Sequence, residues 1–470
     1  MKRFIAIVLL TMLLLPFAAC GKKQPDAPQD ANAPQNAGTA EPAGTETAKP
    51  AGAADTSYNP ETDADNRFTT ANCTLIETDD GFYLADCECP YLLFYDYALE
   101  EMIPVCSRPE CEHVIDNNYA IDNRSCDAWL SASRNPSLYN GKLYYVYDYG
   151  EQNPNTGGAT LGYKLFRMNP DGTGKEFVKN LFPPGYGAPQ WFILHRGNIY
   201  GFSHESRVQD ADVIFTSSVV VLPLEGDETT FKTICEVNGS SAGGMRFIGD
   251  YCYFLLTYWE GDYSVNWDTG EEFDERVFGG KIGRWDSKTD ELEILYDNLL
   301  PEGEYYLNLW AEPDGSIYVI GSQGLMKLED GELKVIQSFD DSEKKYHAAY
   351  ISDGVVIAHT APSDFNDPYG SMDVWICRFD GSTVFKGELP MEWYYNCPEF
   401  KGIDGNPDFP GWRMAVGDET GIWVMFDVTW WRVPSENLPS AEFLVRFDFT
   451  DGGVQTKLYG TFFNMLVLQD

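Results

Sequence analysis

Three thiols and one imidazole fall close together in this chain: Cys106, Cys111, His113 and Cys126, spaced C-x4-C-x-H-x12-C. Thiolates and a neutral imidazole are donors that zinc takes readily. Four of them complete a tetrahedral site and leave no open position for a substrate. The set therefore reads as a structural Zn site or, if oxidised, as a disulfide, most simply Cys106–Cys111 or Cys111–Cys126. Either would staple a long loop. Cys73, Cys87 and Cys89 lie just upstream and could join it.

Several familiar catalytic patterns are absent from the sequence. There is no H-E-x-x-H helix, no phosphate-binding P-loop and no G-x-G-x-x-G after a strand. His195, His204, His347 and His359 stand near predicted strand ends, where structural roles are the commoner use. Carboxylates are too many for a glycosidase pair to be picked out. Aromatic loop residues offer more. Tyr258 and Trp259 border an acidic stretch, and Trp393-Tyr394-Tyr395 and Trp430-Trp431 lie outside the repeated strands. Their flat apolar faces suit sugar rings or protein side chains, unless they pack beneath their own loops.

The elements that must position these residues repeat. A tight turn followed by a short aromatic strand occurs at Gly81-Phe82-Tyr83, Gly141-Lys142-Leu143-Tyr144, Gly197-Asn198-Ile199-Tyr200 and Gly249-Asp250-Tyr251. It returns at Asp314-Gly315-Ser316-Ile317-Tyr318, Asp353-Gly354-Val355 and Thr420-Gly421-Ile422-Trp423. A second hairpin follows in most copies, as in Leu165–Gly174, Leu325–Glu332, Ile376–Ser382 and Leu444–Gly452. Ile282–Ser287 and Val219–Gly226 are variants of it. Asn-Gly and Asp-Gly supply the positive φ of two-residue hairpin turns, and apolar residues alternating with Arg, Lys or Asp give strands with one buried face. The copies recur about every 57 residues. That spacing predicts an all-β fold, a β-propeller of seven four-stranded blades, with six or eight as the alternatives. The run Phe462–Val467 is expected to add a strand to the first blade and shut the ring.

The front of the chain reads differently. Lys2 and Arg3 precede an apolar run from Phe4 to Leu15, too short for a stable membrane span, and then Ala18-Ala19-Cys20. This exit resembles the signal of bacterial lipoproteins, although Phe17 stands where a branched aliphatic residue is usual. The resemblance implies lipidation of Cys20 and attachment to the outer face of the cytoplasmic membrane; the alternative is ordinary cleavage that frees the protein. Residues 1–19 are then a signal peptide. Residues 20–66 follow as the lipidated cysteine and an Ala/Pro/Gly/Thr-rich linker expected to be disordered, and 67–470 as the propeller. Of the 11 cysteines, ten remain beyond Cys20, and an exported address favours their oxidation. A formal net charge of −40 excludes nucleic acid as a partner and disfavours lying flat on an anionic membrane.

Arg167-Met168-Asn169-Pro170-Asp171-Gly172-Thr173-Gly174 looks like the blade motif of TolB-type propellers. The whole layout resembles a family of propeller lipoproteins from Gram-positive anaerobes. That resemblance implies a fold and an address but no activity. The leading expectation is a non-catalytic surface lipoprotein that binds a protein or glycan or acts as a scaffold. The rivals are an extracellular hydrolase or lyase working at the propeller channel, and an envelope assembly factor. Channel-facing His, Tyr, Arg and acid residues would favour the enzyme.

Overall fold

The computed structural model describes residues 55–464 except 70–74, 86–90, 112, 114–125, 131–135, 153–158, 183–190, 210–211, 239–240, 262, 267–270, 342–343, 361–371, 398–405, 408–409, 432–439 and 451–452. Cys20, the signal segment and most of the linker lie outside the described residues.

Seven antiparallel sheets of four main strands follow one another along the chain; a separate two-stranded hairpin, Tyr263–Asn266 with Glu271–Asp274, is inserted in the fourth, and Asn406–Pro407 adds a short strand to the seventh. Blade 1 runs from Leu75–Thr78 to Glu101–Pro104, blade 2 from Ser137–Tyr139 to Glu176–Leu181, and blade 3 from Ile193–His195 to Lys232–Asn238. Blade 4 runs from Ser241–Ile248 to Glu291–Leu299, blade 5 from Tyr306–Ala311 to Glu332–Gln337, and blade 6 from Tyr346–Ser352 to Thr383–Glu388. Blade 7 runs from Gly411–Asp418 to Gly453–Asn464. The first strand of each sheet stands at its edge, and the first strands of blades 2 and 3, 4 and 5, 5 and 6, and 6 and 7 neighbour one another, as strands that line the axis do. The protein is a seven-bladed β-propeller.

The turns explain why the repeat was readable. All seven predicted first hairpins are the turns between first and second strands. Asn140 and Gly141 have φ of 48° and 66°, and Arg196 and Gly197 have 43° and 77°, the paired positive φ of a type I′ hairpin. Asp171, Asp314 and Asp380 each accept the backbone N–H two residues on at 2.8–2.9 Å, closing Asx turns. Blade 1 carries no recognisable second hairpin because Glu100, not glycine, takes the left-handed position at φ 55°.

Core packing follows blade by blade. Among the described residues seven buried apolar clusters occur, and each lies between two neighbouring blades. Blades 7 and 1 meet like any other pair. Phe82 of blade 1 lies 5.0 Å from the Trp423 ring and 5.7 Å from Tyr459 of blade 7, and Tyr459 lies 4.9 Å from Tyr95. Lys457 and Glu100 pair at 2.9 Å at the rim of this seam. Fully burying a ring of this size stabilises the seam by about 2–3 kcal/mol.

The expected closing strand is corrected. Phe462 and Phe463 pair with Glu442 and Ala441 inside blade 7, as the end of its own fourth strand. Blade 1 holds four strands from its own sequence, and residues 465–467 of the predicted run lie outside the described residues.

Residues 55–66, placed in the linker on composition, are among the described residues. Residues 55–66 hydrogen-bond to the turns that end the inner strands of blades 2, 3 and 4. The Asn140, Arg196 and Asp250 N–H groups donate to the carbonyls of Glu61, Thr62 and Asp55 at 2.7–3.0 Å. The Asn66 side chain binds both backbone groups of Phe247 at 2.7 Å, as a neighbouring strand would. The following turn, Asn66–Phe68, reaches the inner strand of blade 7 across the axis. This segment closes one end of the channel. Its sequence reads as linker because polar bonds, not buried apolar area, hold it.

Candidate functional site

Cys106, Cys111, His113 and Cys126 do come together. Their donor atoms all lie within 4.8 Å of one another. Cys106 and Cys111 are half-buried, Cys126 is buried, and no sulfur of the three is bonded to another. The His113 Nε2 is buried without a hydrogen-bond partner. The Tyr91 ring meets the imidazole edge-on at 5.5 Å and fixes its plane. Burial alone would raise the Cys106 thiol. The Arg108 and Asp127 backbone and the His113 ring outweigh it and bring the thiol down to about 6. Burial pushes Cys126 up to about 12. The cluster follows the outer strand of blade 1, and Cys126, Ala128 and Trp129 pack into the core between blades 7 and 1.

The candidate binding surface lies at the other end of the inner strands. A recess of about 540 Å³ lies at the starts of the inner strands of blades 5, 6 and 7. The middle strands of blades 5 and 6 have only 5 or 6 residues, against 10 to 12 in blades 2, 3, 4 and 7. Leu307, Ala349 and Arg413 line the recess, and each is the extra residue of a β-bulge in its strand. A bulge re-aims a side chain that regular alternation would have placed elsewhere.

His347, Tyr350, Trp412 and Asp427 complete the recess with Tyr305, whose ring is 44% exposed. Behind them the His359 ring stacks on Trp412 at 4.7 Å and 1°, and Tyr350 lies 6.0 Å from Trp412 at 26°. The Trp412 indole N–H points at the Met372 sulfur at 2.8 Å, which holds the indole in place. Burial lowers the His359 pKa, so its imidazole is neutral at pH 7. Burial, then Asp427, pushes the Tyr350 phenol well above the ordinary tyrosine range. It stays protonated and is a poor base. Arg413 pairs with buried Glu442, which sits opposite Asp427 on the adjacent strand. Arg413, Glu442 and Asp427 together leave the recess with about one net negative charge.

The remaining expected residues divide. Tyr394 is buried, and Trp393 stacks on Phe426 at 5.0 Å and donates to the Pro390 carbonyl. Both support the core between blades 6 and 7, because the one-turn helix Glu392–Tyr395 lays them under the loop; only Tyr395 is exposed. Tyr258 donates to Asp297 at 2.8 Å, and Arg276 covers Trp259 at 5.5 Å, so neither ring stands free. Trp430 and Trp431 end the second strand of blade 7, and their side chains lie outside the described residues. His195 is structural: its Nδ1 accepts the Ala64 N–H at 3.1 Å and its Nε2–H donates to the Gly249 carbonyl at 2.6 Å. His204 contacts Ser217 Oγ at 2.8 Å. Reasoning from sequence placed His347 and His359 near strand ends but missed Tyr305, Tyr350, Trp412, Arg413 and Asp427. The repeat was registered on second strands, and bulges erase the alternation that would have marked the inner ones.

No protein-family model and no curated protein matches the chain. Solved propellers do. The β-propeller domain of the trilobed protease from Pyrococcus furiosus matches at TM-score 0.34 and 10% identity, covering 72% of this chain and 98% of that one. An ulvan lyase, from a new family of polysaccharide lyases, matches at TM-score 0.40 and 14% identity, covering 87% and 97%. The acylaminoacyl peptidase of Pyrococcus horikoshii matches at TM-score 0.36 and 11% identity; 70% of this chain is covered, but about half (52%) of the peptidase. At these identities the likeness is one of fold.

Proposed function

We propose that this protein is a lipid-anchored binding propeller, tethered through Cys20 at the outer face of the cytoplasmic membrane, that takes a neutral glycan into the recess at the starts of the inner strands of blades 5, 6 and 7. The observation that carries the reading is the recess itself: tyrosine and tryptophan rings beside a charged pair and a carboxylate, in about 540 Å³. Ring faces cover the C–H surface of a sugar, and fixed Arg, Asp and His groups orient its hydroxyls; the volume is that of an ordinary small-ligand site. Because Glu442 takes up the charge of Arg413, a neutral sugar suits the recess better than a uronate.

Calorimetric titration of the full chain, carrying Cys20→Ser for solubility, with neutral and uronic-acid oligosaccharides tests this. Binding of neutral sugars, weakened at least tenfold by Tyr305→Ala with no change in Tm, is the expected outcome. Uniform lack of binding, or binding indifferent to Tyr305 and Trp412, rejects it.

One observation favours the enzymatic alternative: exposed His347 shares the recess with Tyr350, Arg413 and Asp427. Release of reducing ends or unsaturated uronates, abolished by His347→Ala with binding retained, would put catalysis in place of simple binding.

A further inference from the structure

We propose that Cys106, Cys111, His113 and Cys126 bind one zinc ion in a closed site of three sulfurs and one nitrogen, and that this ion locks the seam where the last blade meets the first.

The donor set carries the first half. Zinc–sulfur bonds of about 2.3 Å and zinc–nitrogen bonds of about 2.0 Å place tetrahedral donors roughly 3.5–3.8 Å apart. The four donors already converge within 4.8 Å, so small side-chain rotations suffice. A disulfide would consume two sulfurs and leave the third thiol and the imidazole converging for no reason. The buried, unpartnered His113 Nε2 is the more telling atom, since leaving such a group unsatisfied costs about 1–3 kcal/mol. A metal removes that cost. Three thiolates around Zn²⁺ carry one net negative charge, and the Arg108 guanidinium, which pairs with Asp127 at 3.5 Å, lies within electrostatic reach of all three sulfurs to offset it.

Position carries the second half. Among the described residues no strand is exchanged between the chain ends, so the seam between blades 7 and 1 rests on side chains. Cys126 and Trp129 belong to the same buried cluster as Phe82 and Trp423, and Cys106 and Cys111 pack against it. Cys106 follows the outer strand of blade 1, while Cys126 returns 20 residues later beneath the seam. A metal joining them pins this connection into the one joint that the chain must close last.

The test uses full-length protein purified without oxygen. Elemental analysis should give one zinc per chain. Cobalt exchanged into the site should show thiolate-to-metal charge transfer and intense tetrahedral d–d bands. Both should vanish in His113→Ala and Cys111→Ser. Chelation of the unmutated protein, which needs no variant to fold, should raise amide exchange at Phe82–Leu84 and Trp423–Met425 roughly tenfold or more. Exchange in the core between blades 3 and 4 should stay unchanged. Absence of metal, or a mass showing two hydrogens lost to a disulfide among the three cysteines, overturns the site. Zinc that can be stripped without any change at the seam overturns the clamp.

Discussion

Arg196→Met should release the segment that closes the channel without opening the ring. Arg196 is the hub of that segment. Its guanidinium binds Asp63 at 2.9 Å and Asp250 at 3.0 Å, and donates to the Asp55 carbonyl at 3.1 Å. The Asp63 side chain is only 2% exposed. Methionine keeps the length and apolar stem of arginine but leaves the Asp63 carboxylate buried and unpaired, a loss of about 3–5 kcal/mol while it stays buried. Asp250 fares better, because Lys288 lies 3.8 Å away and can move in. The segment has an escape: residues 55–64 can lift off and hydrate Asp63, giving up three backbone hydrogen bonds and the Ala64 N–H bond to His195, about 1 kcal/mol each. These two figures are similar, so undocking should be the response. A change of about 3 kcal/mol corresponds to roughly a 150-fold rise in exchange. Hydrogen exchange read by mass spectrometry should show it at the amides of Asn140, Arg196 and Asp250, while Gly421–Trp431 of blade 7 keeps its protection. Unchanged protection at those three amides would mean that Arg196 does not hold the segment. Equal loss everywhere would mean that the segment and ring unfold as one.

Two further outcomes are expected. Burial holds the His195 pKa down at about 4, and its unprotonated Nδ1 accepts a bond from the segment, so the unfolded chain binds the extra proton between about pH 6.5 and 4. Stability should therefore fall as pH drops through that window, by at most about 3 kcal/mol, and denaturant titrations from pH 7.5 to 4.5 should show a smaller fall for His195→Gln. Phe82→Ala should cost about 3–5 kcal/mol and loosen the Trp423 region first, since Phe82 is fully buried against Tyr95, Trp423 and Tyr459; a loss below about 1 kcal/mol would show that the seam does not depend on these rings.

The blades were legible because a tight hairpin restricts its own sequence. Asn140-Gly141 and Arg196-Gly197 take the paired positive φ of two-residue turns whatever surrounds them. The seven-fold count followed from such pairs, and the spacing of Cys106, Cys111, His113 and Cys126 marked a group that the fold does bring together. The channel recess was not. Arg413 enters it only because a bulge turns it there, and Trp412 lines it from a strand with no repeated signature. The closing segment escaped notice for the opposite reason. Asn66 and Asp63 work by hydrogen bonds to particular partners more than a hundred residues away, and no local pattern records such a partner. Tyr394 shows the same limit: an aromatic in a loop reads as available until the neighbouring blade is seen to cover it.

Every blade here is one uninterrupted stretch of chain, including the first and the last. A ring closed by a shared strand has one composite blade, and any duplication or deletion that touches it strands half a sheet. In this protein a gene segment of roughly 40 to 65 codons encodes a whole blade when it is cut between sheets. Gain or loss of such a segment would change the circumference without breaking a sheet, and permuting the chain at a junction between blades would leave all seven sheets intact. Ring size in such an architecture is thus free to change by whole units, with the junction that carries the cysteines as the one place where a new end would have to be sealed again.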